Sequence, residues 1–255
     1  MIMTFKVERV LLRMFRYMRL DDAIEERHRY LLERLKHIDA PLGLKGMSDL
    51  KMPKFGQGPS AFSVYKHPDT PGVRQQYSYI SRYEDYLNDF PLGMDTLFFE
   101  FKATYKKIDF HKIAYEQFPQ VIEIYDPFDA DSTYSRYSIA YENGTQPDES
   151  TGVYYPSGEE KSLIPAYNKL VDNGIIPNGD SNIYTLQPIV YWSNNYCLKA
   201  LQYDRDEVIR RLEGRVLDIR RINDGVYIIF NDNPLLSFED FLEINHTFKP
   251  LLGIE

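Results

Sequence analysis

A single cysteine, Cys197, stands in a chain of 255 residues. It allows no intrachain disulfide and no thiolate zinc cluster, which fits a reducing compartment. No apolar run approaches the roughly 20 residues that a membrane helix requires. The leading stretch MIMTFKVERVLLRMFRYMRL carries arginines throughout and no small-residue cleavage site, so a secretory signal is not expected. The expected location is the cytoplasm of a bacterial host, or a virion.

The motifs of the common site chemistries are also missing. There is no GxxxxGK[ST] loop to cradle phosphates, no HExxH, no GxSxG elbow and no CxxC pair. The five histidines, at 28, 37, 67, 111 and 246, are scattered. None has a second His or Cys at metal-binding helical spacing, although His67 stands two residues before Asp69. Each reads as a satisfied or surface histidine. Cys197, between Tyr196 and Leu198, reads as a small buried hydrophobe. These absences lean away from an enzyme, and no cofactor and no small-molecule substrate are expected.

What is present suits a folded protein: 43% hydrophobic and 27% charged residues, enough to build a core without a metal or a disulfide. The net charge of −8 is unevenly spread. Residues 1–54 hold 12 Lys/Arg against 8 Asp/Glu, so that segment is positive and the remainder strongly negative. A basic end on an acidic body suits contact with nucleic acid, or with the acidic body of a neighbouring copy.

Residues 4–20 fit an amphipathic helix, with Val7, Val10, Leu11, Met14 and Met18 on one face and Arg9, Arg13, Arg16 and Arg19 opposite. Asp22 and Glu25 suggest the start of a second helix with the stripe Ile24, Leu31, Leu32, Leu35 and Ile38, stopped by Pro41. Residues 41–76 contain five Pro and five Gly and suggest an extended arm. Within it Phe55-Gly56-Gln57-Gly58 reads as flexibility rather than a phosphate loop. Phe55, Phe62 and Tyr65 are its expected contact residues. Thr70-Pro71 opens an expected third helix carrying Tyr77, Ile80, Tyr83, Leu87 and Phe90, closed by Pro91 and Gly93.

From Thr96 the apolar period becomes 2, which predicts a strand. Further strands are expected at 121–125, 134–141 and 183–192, and a polar loop over 142–162. A helix from about Ser162 to Asn173 should end at Gly174. Asp204 and Glu207 have cap spacing for a helix bearing Val208 and Leu212. Asn223-Asp224-Gly225 marks a hairpin between 216–222 and 226–230, and Ser237 with Asp240 caps a final helix. The expected fold is therefore α+β: a helical region over 1–93 including the arm 41–76, then a mixed, mainly antiparallel sheet body with short helices over 94–255.

Two residue sets could carry function. The all-arginine stripe Arg9, Arg13, Arg16 and Arg19 suits bidentate contact with phosphate or carboxylate, while a solvated helix face would look the same. Asp126, Asp129 and Asp131 could hold Mg²⁺ at a strand end and activate water, while an Asp- and Pro-rich turn would use the same residues as backbone caps.

Residues 11–53, LLRMFRYMRL to LKMP, resemble the helical start of phage ArpU-type regulators. The stretch YNKLVDNGIIPNGDSN resembles one turn of RusA-type Holliday-junction resolvases. Asp172 and Asp180 match that pattern, but Gly179 stands where the paired acid should precede Asp180. Both resemblances imply a phage or prophage setting. The leading expectation is a non-enzymatic assembly or adaptor protein, of the phage connector or collar type. It would be a homo-oligomer or part of a larger protein assembly, touching neighbouring subunits or DNA through a basic helix and an arm. The alternatives are a phage-type nucleic-acid-binding regulator and a Mg²⁺-dependent nuclease.

Overall fold

A computed structural model describes residues 9–55, 60–82, 93–147 and 162–254, without the side chain of Ser135. The fold is α+β, with nine strands among the described residues. It divides into two compact units, Arg9–Asp131 and the residues from Ser132 onward.

The first unit is built on an antiparallel sheet of β1 (Arg9–Tyr17), β2 (Lys54–Phe55), β3 (Ser60–Tyr65), β4 (Arg74–Ile80) and β5 (Met94–Lys102), in the order β2-β3-β4-β5-β1. Register runs Lys54 opposite Phe62, Val64 opposite Gln76, Arg74 opposite Glu100 and Arg13 opposite Phe98. The alternation is strict. Val10, Leu12 and Met14 on β1 face Leu97, Phe99 and Phe101 on β5 across a fully buried layer, each such side chain contributing roughly 1.5–3 kcal/mol. Helix α1 (Ile24–Leu35) covers this inner face with Ile24, His28, Leu31, Leu32 and Leu35. A helical run follows β5: a turn at Phe110–Lys112, a π-helical stretch at Ile113–Gln117, and α2 (Phe118–Tyr125).

Residues 9–17 are thus a strand, not the expected helix. Val10, Leu11 and Met14 satisfy helical spacing, but Val10, Leu12 and Met14 also satisfy a period of 2, and pairing with β5 along nine positions decides between them. The expected arm folds too, contributing β2, β3 and the start of β4. The expected third helix is a strand over 74–80; its Tyr83, Leu87, Phe90 and Pro91 lie outside the described residues, as do residues 56–59. The stretch 121–125 is helical because Pro119 presets the first turn and Val121, Ile122 and Tyr125 share a buried face, closed by Asp126 at φ 54°. Helix α1 has no side-chain cap, because its N-cap position is Ala23; Asp22, one residue earlier, accepts a hydrogen bond from Arg16 at 2.7 Å.

The second unit holds β7 (Ile189–Ser193), β9 (Gly225–Ile229) and β8 (Asp218–Ile222) as antiparallel strands with β9 in the middle, so the chain crosses from β7 to the far side before the β8–β9 hairpin. The chain enters this unit within β6 (Asp129–Thr133). Its helices are α3 (Ser135–Asn143), α4 (Pro165–Asp172), α5 (Asn194–Leu201), α6 (Arg205–Leu212) and α7 (Phe238–Leu252). The expected strand at 134–141 is therefore helix α3, with Tyr137 and Ala140 buried one turn apart and Gly144 ending it at φ 70°. Of the polar loop expected over 142–162, residues 148–161 are outside the described set.

The predicted caps of the second unit are in place. Asp204 accepts from the Glu207 amide, Ser237 and Asp240 form a reciprocal capping box, and Gly174 follows α4 in the left-handed region. The hairpin turn is Asn223-Asp224, with the positive φ on Asn223. Gly225 is needed for a different reason: a Cβ there would lie 2.5 Å from the Trp192 carbonyl oxygen and 2.6 Å from the Tyr191 ring.

Candidate docking face and basic pocket

The four arginines sit on β1 and the turn after it, each beside a carboxylate. Arg9 Nη1 donates to Glu100 Oε1 at 2.8 Å. Arg13 grips Asp131 with two bonds, Nε to Oδ1 at 3.0 Å and Nη2 to Oδ2 at 2.7 Å. Arg16 bonds Asp22, and Arg19 lies 3.5 Å from Asp21 with both side chains exposed. The stripe does not form one face, because strand geometry sends Arg9 and Arg13 outward and Arg16 to the opposite side.

The acidic trio is likewise divided. Asp126 caps α2 and is exposed, whereas Asp131 is buried against Arg13. Burial, then the neighbouring Asp131 charge, pushes the Asp129 carboxyl well above the usual carboxylate range, with Arg13 opposing. Among the described residues no three His, Cys, Asp or Glu side chains are grouped to hold a metal ion. Of the expected arm contacts, Phe55 and Phe62 are 53% and 46% exposed. Tyr65 is buried, and its hydroxyl bonds the Lys51 carbonyl and His28 Nε2.

The outward face of the first unit's sheet is half open. It presents Leu11, Phe15 and Tyr17 on β1, Phe98 on β5, and Phe62 and Val64 on β3. Most of its ring faces are already occupied. The Arg13 guanidinium lies over Phe15 at 5.3 Å, Arg74 lies over Phe98 at 5.6 Å, and Tyr17 stacks on Phe128 at 4.1 Å.

At one end of this face a cavity of ≈ 250 Å³ opens between Arg9, Lys66, Arg74, Glu100, Lys102 and Tyr105. Register explains the assembly: Arg9 is opposite Lys102 and Arg74 opposite Glu100, while Lys66 follows the end of β3. Glu100 anchors two guanidiniums, Arg9 at 2.8 Å and Arg74 at 3.8 Å. The Gly72 amide donates to the Tyr105 hydroxyl at 3.3 Å. A Cβ at Gly72 would lie 2.7 Å from that ring, so glycine lets Tyr105 line the cavity. Apart from Arg9, these residues are not distinguished in the sequence; only sheet register brings them together.

The second unit has a different surface. Helix α4 buries none of its residues. On it and its flanks, Leu163 is 74% exposed, Val171 51%, Ile175 37% and Ile176 59%. Hydrogen bonds fix their backbone: Leu163 N–H to Asn143 O at 3.1 Å and Ile175 N–H to Leu170 O at 3.0 Å. Asp172 and Asp180 also lie in this region, with Asp180 3.6 Å from Lys199. The helix and its end at Gly174 were legible in sequence, its exposure was not.

No protein-family model matches the chain, and no curated relative matches it in sequence. Among solved structures it is similar to the Pseudomonas aeruginosa T6SS protein PA0821, at 10% identity and a TM-score of 0.50, over 96% of this chain and 74% of that one. At that identity the likeness is one of fold. No helix among the described residues is long and apolar enough to cross a membrane.

Proposed function

We propose that this protein is a non-enzymatic assembly component that binds neighbouring copies of itself through exposed apolar surface, within a secretion-type or phage-like system. The observation that carries this reading is α4. A helix that buries no residue while four aliphatic side chains on it and its flanks stand in solvent costs free energy in an isolated chain and gains it on association. The name of the fold neighbour, a T6SS protein, supports a setting in a secretion system. Strand geometry splits Arg9 and Arg13 from Arg16, so the chain lacks the continuous basic stripe along β1 that would favour nucleic acid over protein as the contact.

Light scattering after size exclusion tests the proposal. The expected mass is a multiple of the 30.1 kDa chain, falling to one chain in Val171→Glu/Ile176→Glu. Both positions are more than half exposed, so the variant keeps its fold. A wild-type protein that stays at single-chain mass over the whole accessible concentration range overturns the reading.

A further inference from the structure

We infer that the cavity between Arg9, Lys66, Arg74, Glu100, Lys102 and Tyr105 is a carboxylate-binding site for an acidic segment of a protein partner. This rests on the reading of the chain as a protein-binding component, but on a different surface from α4.

Charge makes the first argument. Four cations face one carboxylate around a concave opening. Glu100 accepts a hydrogen bond from Arg9 and lies 3.8 Å from Arg74, whose Nη2 donates to Gln76 Oε1; each guanidinium has five N–H donors, so both keep some for a ligand. Lys66 and Lys102 have no ion-pair partner among the described residues, and both are exposed. Tyr105 accepts its hydrogen bond from Gly72 N–H, so its own O–H remains a donor. Two guanidiniums, two ammoniums and a hydroxyl outnumber the one carboxylate and make a donor-rich site for an anion.

Size and surroundings choose the anion. A volume of ≈ 250 Å³ falls below the roughly 300–1,000 Å³ of pockets that enclose a drug-sized ligand and suits one or two acidic side chains. The cavity continues into the outward sheet face, where Val64, Phe62 and Leu11 offer apolar contact. A single nucleic-acid strand would need a run of free ring faces for base stacking, yet of the four rings on this face Phe15, Phe98 and Tyr17 each have one side taken by Arg13, Arg74 or Phe128, which leaves Phe62. The net charge of −8 also repels a polyanion as a whole, while a short acidic peptide meets only the local cationic rim. The fitting partner is a segment in which Glu or Asp alternates with apolar residues.

The full chain is titrated by fluorescence anisotropy with a fluorescein-labelled oligoglutamate peptide. Parallel arms use an oligothymidylate of equal charge and inorganic phosphate as competitor. The peptide should bind, in a salt-sensitive manner, and Lys66→Glu/Lys102→Glu should weaken it by at least about tenfold, the equivalent of roughly 1.4 kcal/mol. Tyr105→Phe should weaken it less, and Val171→Glu/Ile176→Glu should leave it unchanged. Absence of peptide binding by the wild type overturns the proposal. So does peptide affinity unaltered by the lysine reversals, tighter binding of oligothymidylate than of peptide, or complete displacement by phosphate at the peptide's own concentration. Because the peptide reads the pocket and light scattering reads α4, loss of one leaves the other standing.

Discussion

Arg13 and Asp131, 118 positions apart in sequence, are joined by two charge-assisted hydrogen bonds, at 3.0 and 2.7 Å. Each residue belongs to a set that the sequence marks as functional, one cationic and one acidic, and the fold pairs one member of each. Asp131 is 8% exposed in its side chain and Arg13 35%, so the pair is only partly screened. Removing one partner strands a charge that the other no longer balances. Arg13→Gln and Asp131→Asn should each lower stability by about 2 kcal/mol in urea unfolding, after discounting for the exposed side of Arg13. The double variant should lose clearly less than the two together. Strict additivity would mean that the pair contributes nothing.

Asp129 is held under strain by the same group of charges. Its carboxyl titrates well above the ordinary value, through burial and then Asp131. A carboxyl whose folded pKa is raised stabilises the fold where it is protonated, in acid, and loses that contribution as pH rises through the folded value. At neutral pH Asp129→Asn should therefore raise the melting temperature, and the gain should disappear toward pH 4. A neutral or lower melting temperature at pH 7 would contradict this placement of the charge.

His28 is fully buried, with Nδ1 2.9 Å from the Tyr79 hydroxyl and Nε2 2.9 Å from that of Tyr65. Burial lowers its pKa to about 4. A base with a lowered folded pKa binds its proton more readily once unfolded, so its contribution is intact above pH 6.5 and is lost as pH falls through 4. That loss amounts to roughly 3 kcal/mol at most. Thermal unfolding between pH 7 and 4 should show it, and His28→Gln should have a visibly flatter pH dependence over that window. Equal slopes in the two proteins would place the acid lability elsewhere.

The parts of this fold legible in sequence are those fixed by local chemistry. Ser237 with Asp240, Asp204 with Glu207, Gly174 and the Asn223-Asp224 turn each satisfy backbone groups within a few residues, so neighbours in sequence suffice. The alternation from Leu97 to Phe101 is equally plain. What long-range pairing decides was not legible. The period of Val10, Leu12 and Met14 is ambiguous until β5 lies beside it. Val121, Ile122 and the tyrosines of 134–141 favour strands by propensity and are helical by burial. The basic cavity is harder still. Its residues come from β1, β4, β5 and the segments after β3 and β5; Glu100 and Lys102 are neighbours on one strand, but Arg9, Lys66 and Arg74 join them only once the register is set.

Lys249 on α7 offers a test in alkali. It is 5% exposed, and its Nζ donates to the Tyr141 hydroxyl at 3.1 Å and lies 4.3 Å from the Tyr184 ring centroid. Desolvation brings its pKa down to about 8, because a hydroxyl and two ring faces return less than the water they replace. For a lysine whose folded pKa is lowered, unfolding takes up a proton between the two values, so stability should climb as pH rises from about 8 toward 10.5. Lys249→Met keeps the length of the side chain and its packing on the rings without the charge. It should be more stable than the wild type at pH 7, and the difference should narrow through that window, before the tyrosines themselves begin to ionise. A Lys249→Met protein that is less stable at pH 7 would mean that the ammonium's contacts with Tyr141 and Tyr184 outweigh the cost of burying it.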